Sequence, residues 1–107
     1  MITQDSSVIY AVTATVPASV QEAYLTWLLD GHVAAVLAGG ALQAWVTRLD
    51  GDPPRVESRY RFANRAALEH YLVHTAPGLR AEGIARFVEP HGVVFTREIG
   101  ILAWASP

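Results

Sequence analysis

The stretch Arg55-Val56-Glu57-Ser58-Arg59-Tyr60-Arg61-Phe62 decides the fold. Val56, Ser58, Tyr60 and Phe62 alternate with Arg55, Glu57, Arg59 and Arg61. This period of two marks a strand with one largely apolar face and one charged face. Just upstream, Asp50-Gly51-Asp52-Pro53-Pro54 is dense in turn formers and lies between two extended runs, which predicts a hairpin with a strand over residues 41–49. Just downstream, Asn64 is a good N-cap for a helix whose Leu68, Tyr71, Leu72 and Thr75 form the buried stripe, with Pro77-Gly78 ending it. Residues 79–87 predict another short helix with Leu79, Ile84 and Phe87 inward. Glu89-Pro90-His91-Gly92 then turns the chain into a strand over residues 93–102.

Toward the amino terminus, residues 8–16 (VIYAVTATV) are rich in β-branched side chains. They place Val8, Tyr10, Val12, Ala14 and Val16 on one face and Ile9, Ala11, Thr13 and Thr15 on the other. Pro17 closes this strand, and Ser19 with Glu22 spells a capping box for a helix carrying Val20, Tyr24, Trp27 and Leu28 in one stripe. Asp30-Gly31 interrupts that helix. A second piece, residues 32–38, ends at Gly39-Gly40, where a missing Cβ permits a left-handed turn.

The resulting order is βαββαβ, an α+β chain on the ferredoxin-like split βαβ plan. Right-handed crossovers place the helices on one face of a four-stranded antiparallel sheet. The other face then displays Glu57, Arg59 and Arg61, with Thr13, Thr15, Thr96 and Glu98 as neighbours. Either water covers that face or another copy of the chain does. All 107 residues fit one domain, with residues 1–7 as a loose extension and 101–107 as a hydrophobic tail.

Composition limits the chemistry. There is no Cys and no Lys, which removes thiol nucleophiles, thiolate metal sites and a protein Schiff base. Eight Arg against ten acidic residues give a net charge of −2, so neither nucleic acid nor an anionic membrane is an expected partner. About half the residues are apolar (51%), more than a small monomer readily hides, which favours self-association. No secretory signal is legible in the first residues and no apolar run could span a bilayer, so the expected location is cytoplasmic. Gly39-Gly40 lacks the spacing of a nucleotide-binding loop, no Ser sits in a nucleophile elbow, and no cofactor is expected.

The stretch YLTWLLDGHVAAVLAGGALQAW, followed by SRYRF, ALEHYL, APGLRAEGIARF and VVFTREIG, resembles a bacterial family of small domains of unknown function in the dimeric α/β-barrel superfamily. EthD-like proteins, NIPSNAP-type proteins and small antibiotic-biosynthesis monooxygenases are its neighbours. The resemblance runs from Val8 to about Gly100. It implies a ferredoxin-like subunit whose open sheet face packs against a twin to make a two-sheet barrel, and a pocket between sheet and helices or inside the barrel. It implies no reaction.

Within that frame, His32 is the candidate catalytic residue. It follows the Asp30-Gly31 break near the Trp27 stripe, where a neutral imidazole can act as general acid or base near pH 7 or simply hydrogen-bond a freed backbone group. Trp27 and Tyr60 are candidates for shaping a cavity. Glu57 and Arg59 must pair if a second subunit buries them, either as a substrate site or as an inter-subunit ion-pair network. Arg97 is suited to binding a carboxylate, and an acidic neighbour would explain it as well. His70 and His74 have metal-ligand spacing but point away from the core stripe with no third ligand, so no metal is expected. Trp45 and Trp104 are candidate interface anchors. The leading expectation is a homodimer that binds a hydrophobic, aromatic or polyketide-like compound and oxidises or isomerises it without a metal. The alternative is a non-catalytic dimeric binding or interaction module.

Overall fold

The computed structural model describes residues 7–107. Strands β1 (Val8–Thr15), β2 (Gln43–Leu49), β3 (Arg55–Phe62) and β4 (Val94–Ile101) form one antiparallel sheet in the order β2-β3-β1-β4. Helices α1 (Gln21–Trp27) and α2 (Val33–Ala38) link β1 to β2. Helices α3 (Arg65–His74), α4 (Ala76–Gly83) and the short α5 (Glu89–His91) link β3 to β4. This is the ferredoxin-like arrangement expected from the βαββαβ order.

The alternation in β3 fixes which side of the sheet is dry. Val56, Ser58, Tyr60 and Phe62 are all buried, and across β1 they face Ala14, Val12, Tyr10 and Val8. Glu57 and Arg59 lie on the other side, opposite Thr13 and Ala11. On β4 the same parity sends Phe95 and Arg97 toward the helices, and Thr96 and Glu98 away.

The core is divided in two. One cluster gathers Val8, Tyr10, Val36, Tyr60, Phe62, Leu68 and Tyr71. The other gathers Ala14, Val16, Tyr24, Leu25, Leu28, Val56 and Phe87. Ser58, the single small polar side chain on the dry face of β3, lies between them and leaves the seam incompletely filled.

Several local expectations need correction. Ser19 lies inside a short 3-10 turn, Ala18–Val20, without a side-chain cap, and Glu22 instead pairs with Arg48 at 2.9 Å, so no capping box forms. Pro77 and Gly78 do not close a helix. They sit in the first turn of α4, where a proline loses no hydrogen bond because that N–H would be unpaired anyway. Ile84 is exposed rather than inward, since a π-helical turn, Ile84–Val88, changes the phase before Phe87. Asn64 does cap α3, its Oδ1 accepting from the Ala67 N–H at 2.8 Å.

The loose extension expected over residues 1–7 lies outside the described residues except for Ser7, which is buried and takes a hydrogen bond from Arg61 at 3.0 Å. No helix among the described residues is long and apolar enough to cross a membrane.

Candidate functional site

The seam between the two core clusters holds a cavity of about 40 Å³. Its floor is the dry face of the sheet, with Tyr10, Ser58 and Tyr60, and its roof comes from the helices, with Tyr24, Trp27 and His32. Leu79, Arg80 and Arg97 complete the wall on the β4 side. Four of the six sequence-derived candidates therefore meet here: His32, Trp27, Tyr60 and Arg97.

A backbone break assembles the roof. Asp30 (φ −100°, ψ 41°) and Gly31 (φ 137°, ψ −36°) leave helical geometry between α1 and α2. The φ of Gly31 is one that side-chain-bearing residues rarely adopt, which is why glycine stands there. In an unbroken helix residues 27 and 32 would point about 140° apart. The break instead brings the Trp27 and His32 rings to 4.2 Å, tilted by 31°. Trp27 Nε1 donates to Glu82 Oε1 at 2.8 Å, which anchors the pair to α4.

Two polar atoms in this cavity stand out. His32 Nδ1 and the Tyr60 hydroxyl are buried and meet no hydrogen-bonding partner among the described residues. His32 Nδ1 can accept a hydrogen bond and the Tyr60 hydroxyl can donate one, so both can serve a group that enters the cavity. Burial lowers the His32 pKa below its ordinary 6.5, opposed in part by the Glu82 carboxylate, so the ring is neutral at pH 7. Burial pushes the Tyr60 phenol up to about 12, which makes it a neutral donor. Ser58 lies close enough to oppose that rise, yet its hydroxyl is directed at the Val12 carbonyl, 3.5 Å away. Tyr24 and Tyr71 are likewise held neutral by burial.

Outside the cavity, a wider groove of about 850 Å³ runs between α1, α2 and α4. Trp27, His32 and Leu79 line both spaces and so form the partition between them.

Glu57 and Arg59 are not part of this site. They lie on the opposite face of the sheet, paired with each other at 3.3 Å, in a shallow groove that also carries Ala11 and Glu98. Trp45 sits on that same face opposite Arg59, and Trp104 projects from the tail, 77% exposed. His70 and His74 are exposed with their rings 4.3 Å apart, and among the described residues no group of three or more potential metal ligands gathers.

Tyr10, Tyr24, Tyr71 and Arg80 are among the wall residues that sequence reasoning left unassigned to the site. The tyrosines read as core at helical or strand spacing, and only Ser58 on an otherwise apolar strand face hinted that space would open beside them. Nothing in the spacing around Arg80 pointed inward.

Comparison with known proteins agrees with this architecture. A family model described as a domain of unknown function (DUF4286) matches residues 7–100. No curated protein is significantly similar to the chain in sequence. Among solved structures, a dimeric ferredoxin-like protein from an uncultured marine organism superimposes with a TM-score of 0.63 at 13% identity, over 94% of this chain and 97% of that one. An ethyl tert-butyl ether D (EthD) family protein from Bacillus halodurans gives 0.65 at 12% identity, over 87% and 96%. A protein from Nitrosomonas europaea, provisionally named an antibiotic biosynthesis monooxygenase, gives 0.62 at 17% identity, over 100% and 98%. At these identities the likeness carries the fold alone.

Proposed function

We propose that this chain, which belongs to the DUF4286 family of domains of unknown function, is a homodimeric small-molecule-binding enzyme that moves protons with His32 in the cavity between its sheet and helices. The observation that carries the reading is the pair of buried, unpartnered atoms, His32 Nδ1 and the Tyr60 hydroxyl, lining one cavity. A neutral imidazole is a competent base, and a neutral phenol is a donor for oxygen that gains charge as a C–H proton leaves. The supported reaction is an isomerase-type proton transfer. His32 takes a proton from a carbon beside a carbonyl, Tyr60 donates to the enolate oxygen, and the proton returns at another position. If dioxygen enters as co-substrate, the same carbanion reacts as in a metal-free oxygenase: a CH₂ becomes C=O and the dioxygen leaves as one carbonyl oxygen and one water.

Trp27 and Leu79, with His32 itself, would have to yield toward the outer groove for a hydrophobic compound much larger than the 40 Å³ cavity to enter. Dimerisation would use the bare sheet face, where Ala11 separates Arg59 from Glu98 and where Trp45 and Val94 are exposed. Dimeric neighbours of the same fold support that assignment. There the Glu57–Arg59 pair would be an inter-subunit polar element rather than part of the proton-transfer site.

The test is deuterium wash-in, followed by NMR in D₂O, on hydrophobic ketones including 2-pentanone and phenylacetone. Wild type should accelerate exchange beside the carbonyl, and His32→Ala should reduce the acceleration by about 10²-fold or more. Because burial lowers the His32 pKa, the rate should rise with pH through a value below 6.5 and be level at pH 7. Exchange that survives His32→Ala would remove His32 from the chemistry. No exchange with any ketone would favour a non-catalytic dimeric binding module.

A further inference from the structure

The charges around the cavity identify its ligand class more narrowly. Arg48, Arg59 and Arg86 each pair with a glutamate. Among the described residues Arg55, Arg61 and Arg65 have no such partner, and neither do Arg80 and Arg97, which differ from those three in lining the cavity. Arg80 donates to the Tyr10 hydroxyl at 3.1 Å, which uses one of five guanidinium N–H groups. Arg97 makes no hydrogen bond or ion pair with a described residue, and its guanidinium lies 5.7 Å from the centre of the Phe95 ring. Its neighbour across β1 is Val12, so the strand beside it offers no counter-charge.

Among the described residues no aspartate or glutamate lines the cavity. On the helical side Glu82 lines the outer groove and is engaged by Trp27 at 2.8 Å and Arg86 at 3.6 Å. The tyrosines do not supply negative charge either, since burial holds Tyr24, Tyr60 and Tyr71 in their neutral forms. A chain with a net charge of −2 thus keeps one cavity lined by two cations and neutral donors. Arg80 and Arg97 are exposed, so their charges stand solvated at the edge of the cavity, and an anion entering it meets two cations and no carboxylate of a described residue.

We propose that the ligand of this cavity is a small organic carboxylate, held by Arg97 with Arg80 beside it. The proposal rests on the cavity being the working site, and it narrows the class of compound that site takes. The planar fork of Arg suits a carboxylate, which it can grip through two parallel charge-assisted hydrogen bonds. At about 40 Å³ the cavity accepts the head group and a short chain, and a longer apolar remainder points toward the Trp27–His32 partition and the outer groove.

The probes are butyrate and butyramide, which share a shape and differ in charge, titrated into the full chain by calorimetry with NMR detection. Butyrate should bind roughly tenfold tighter or more, and Arg97→Gln should remove that preference while leaving butyramide unchanged. Arg59→Gln, on the other face of the sheet, should change nothing. Equal binding of the two probes, failure of both to bind at millimolar concentration, or an Arg97→Gln variant that keeps the preference would overturn the carboxylate assignment. The wild-type comparison of the two probes needs no variant, so a misfolded substitution cannot obscure the result. Ketone exchange at His32 is read separately. If it persists while butyrate shows no preference, only the ligand class is wrong, and if it is absent while butyrate binds through Arg97, only the proton-transfer reading is wrong.

Discussion

Phe62→Ala should lower the unfolding free energy by about 3–5 kcal/mol, the usual cost of emptying a fully buried aromatic site. Phe62 is 0% exposed at the end of β3, lies opposite Val8 on β1, and its ring is 5.3 Å from that of Tyr71 on α3. The substitution removes the transfer free energy of the ring and leaves a void between sheet and helix that rigid neighbours on both sides cannot close. Against a typical total of about 5–15 kcal/mol for a domain, the variant should be near the threshold of unfolding. Urea titration followed by circular dichroism measures it. A loss under about 1 kcal/mol would mean that α3 does not pack on β3 as described.

Gly39→Ala works in the opposite sense, by overfilling the same cluster. Gly39 ends α2 with ordinary dihedral angles (φ −80°, ψ 0°), so helix propensity alone predicts a gain of up to about 1 kcal/mol. Packing reverses the sign. A Cβ there would come within 2.9 Å of Thr75 Oγ1 and of Tyr71 Cδ1, closer than real Cβ atoms approach. Tyr71 is buried with its ring against those of Phe62 and Tyr10, so making room disturbs their packing. The expected net loss is about 1–3 kcal/mol, the range for overpacked cores. A melting temperature equal to or above wild type would show that α2 and α3 are farther apart than this geometry requires.

The fold was legible because its strongest signals are local and redundant. The alternation in β3 fixes its register, the turn-dense residues 50–54 fix its hairpin partner, and Asn64 fixes the start of α3. What misled were motifs whose meaning depends on tertiary context. Glu22 was free to cap its own helix, but Arg48 on β2 offers a charged partner. Pro77-Gly78 reads as a stop in isolation, yet proline is equally at home in a first helical turn, and α4 begins there.

The candidate site was half legible. Asp30-Gly31 announced a break, and the break does carry His32 onto Trp27. Strand parity places Arg97 on the helical side and Glu57 with Arg59 on the other, a division that the alternation along the strands already carried and that the observed register keeps. The sequence spacing does not show that Ser58 leaves a gap between two core clusters, because a gap is a property of what the facing helices fail to fill. Arg80 enters the cavity wall through the placement of α4 over the sheet, a long-range consequence of the α3 to α4 connection.

One side of the sheet forms the cavity and the other is assigned to a twin molecule, and sedimentation velocity of the unaltered chain at micromolar concentration tests this two-sided use most directly. A species of twice the 11.6 kDa chain mass is the expected result. A stable, fully folded species sedimenting at the mass of one chain would contradict it.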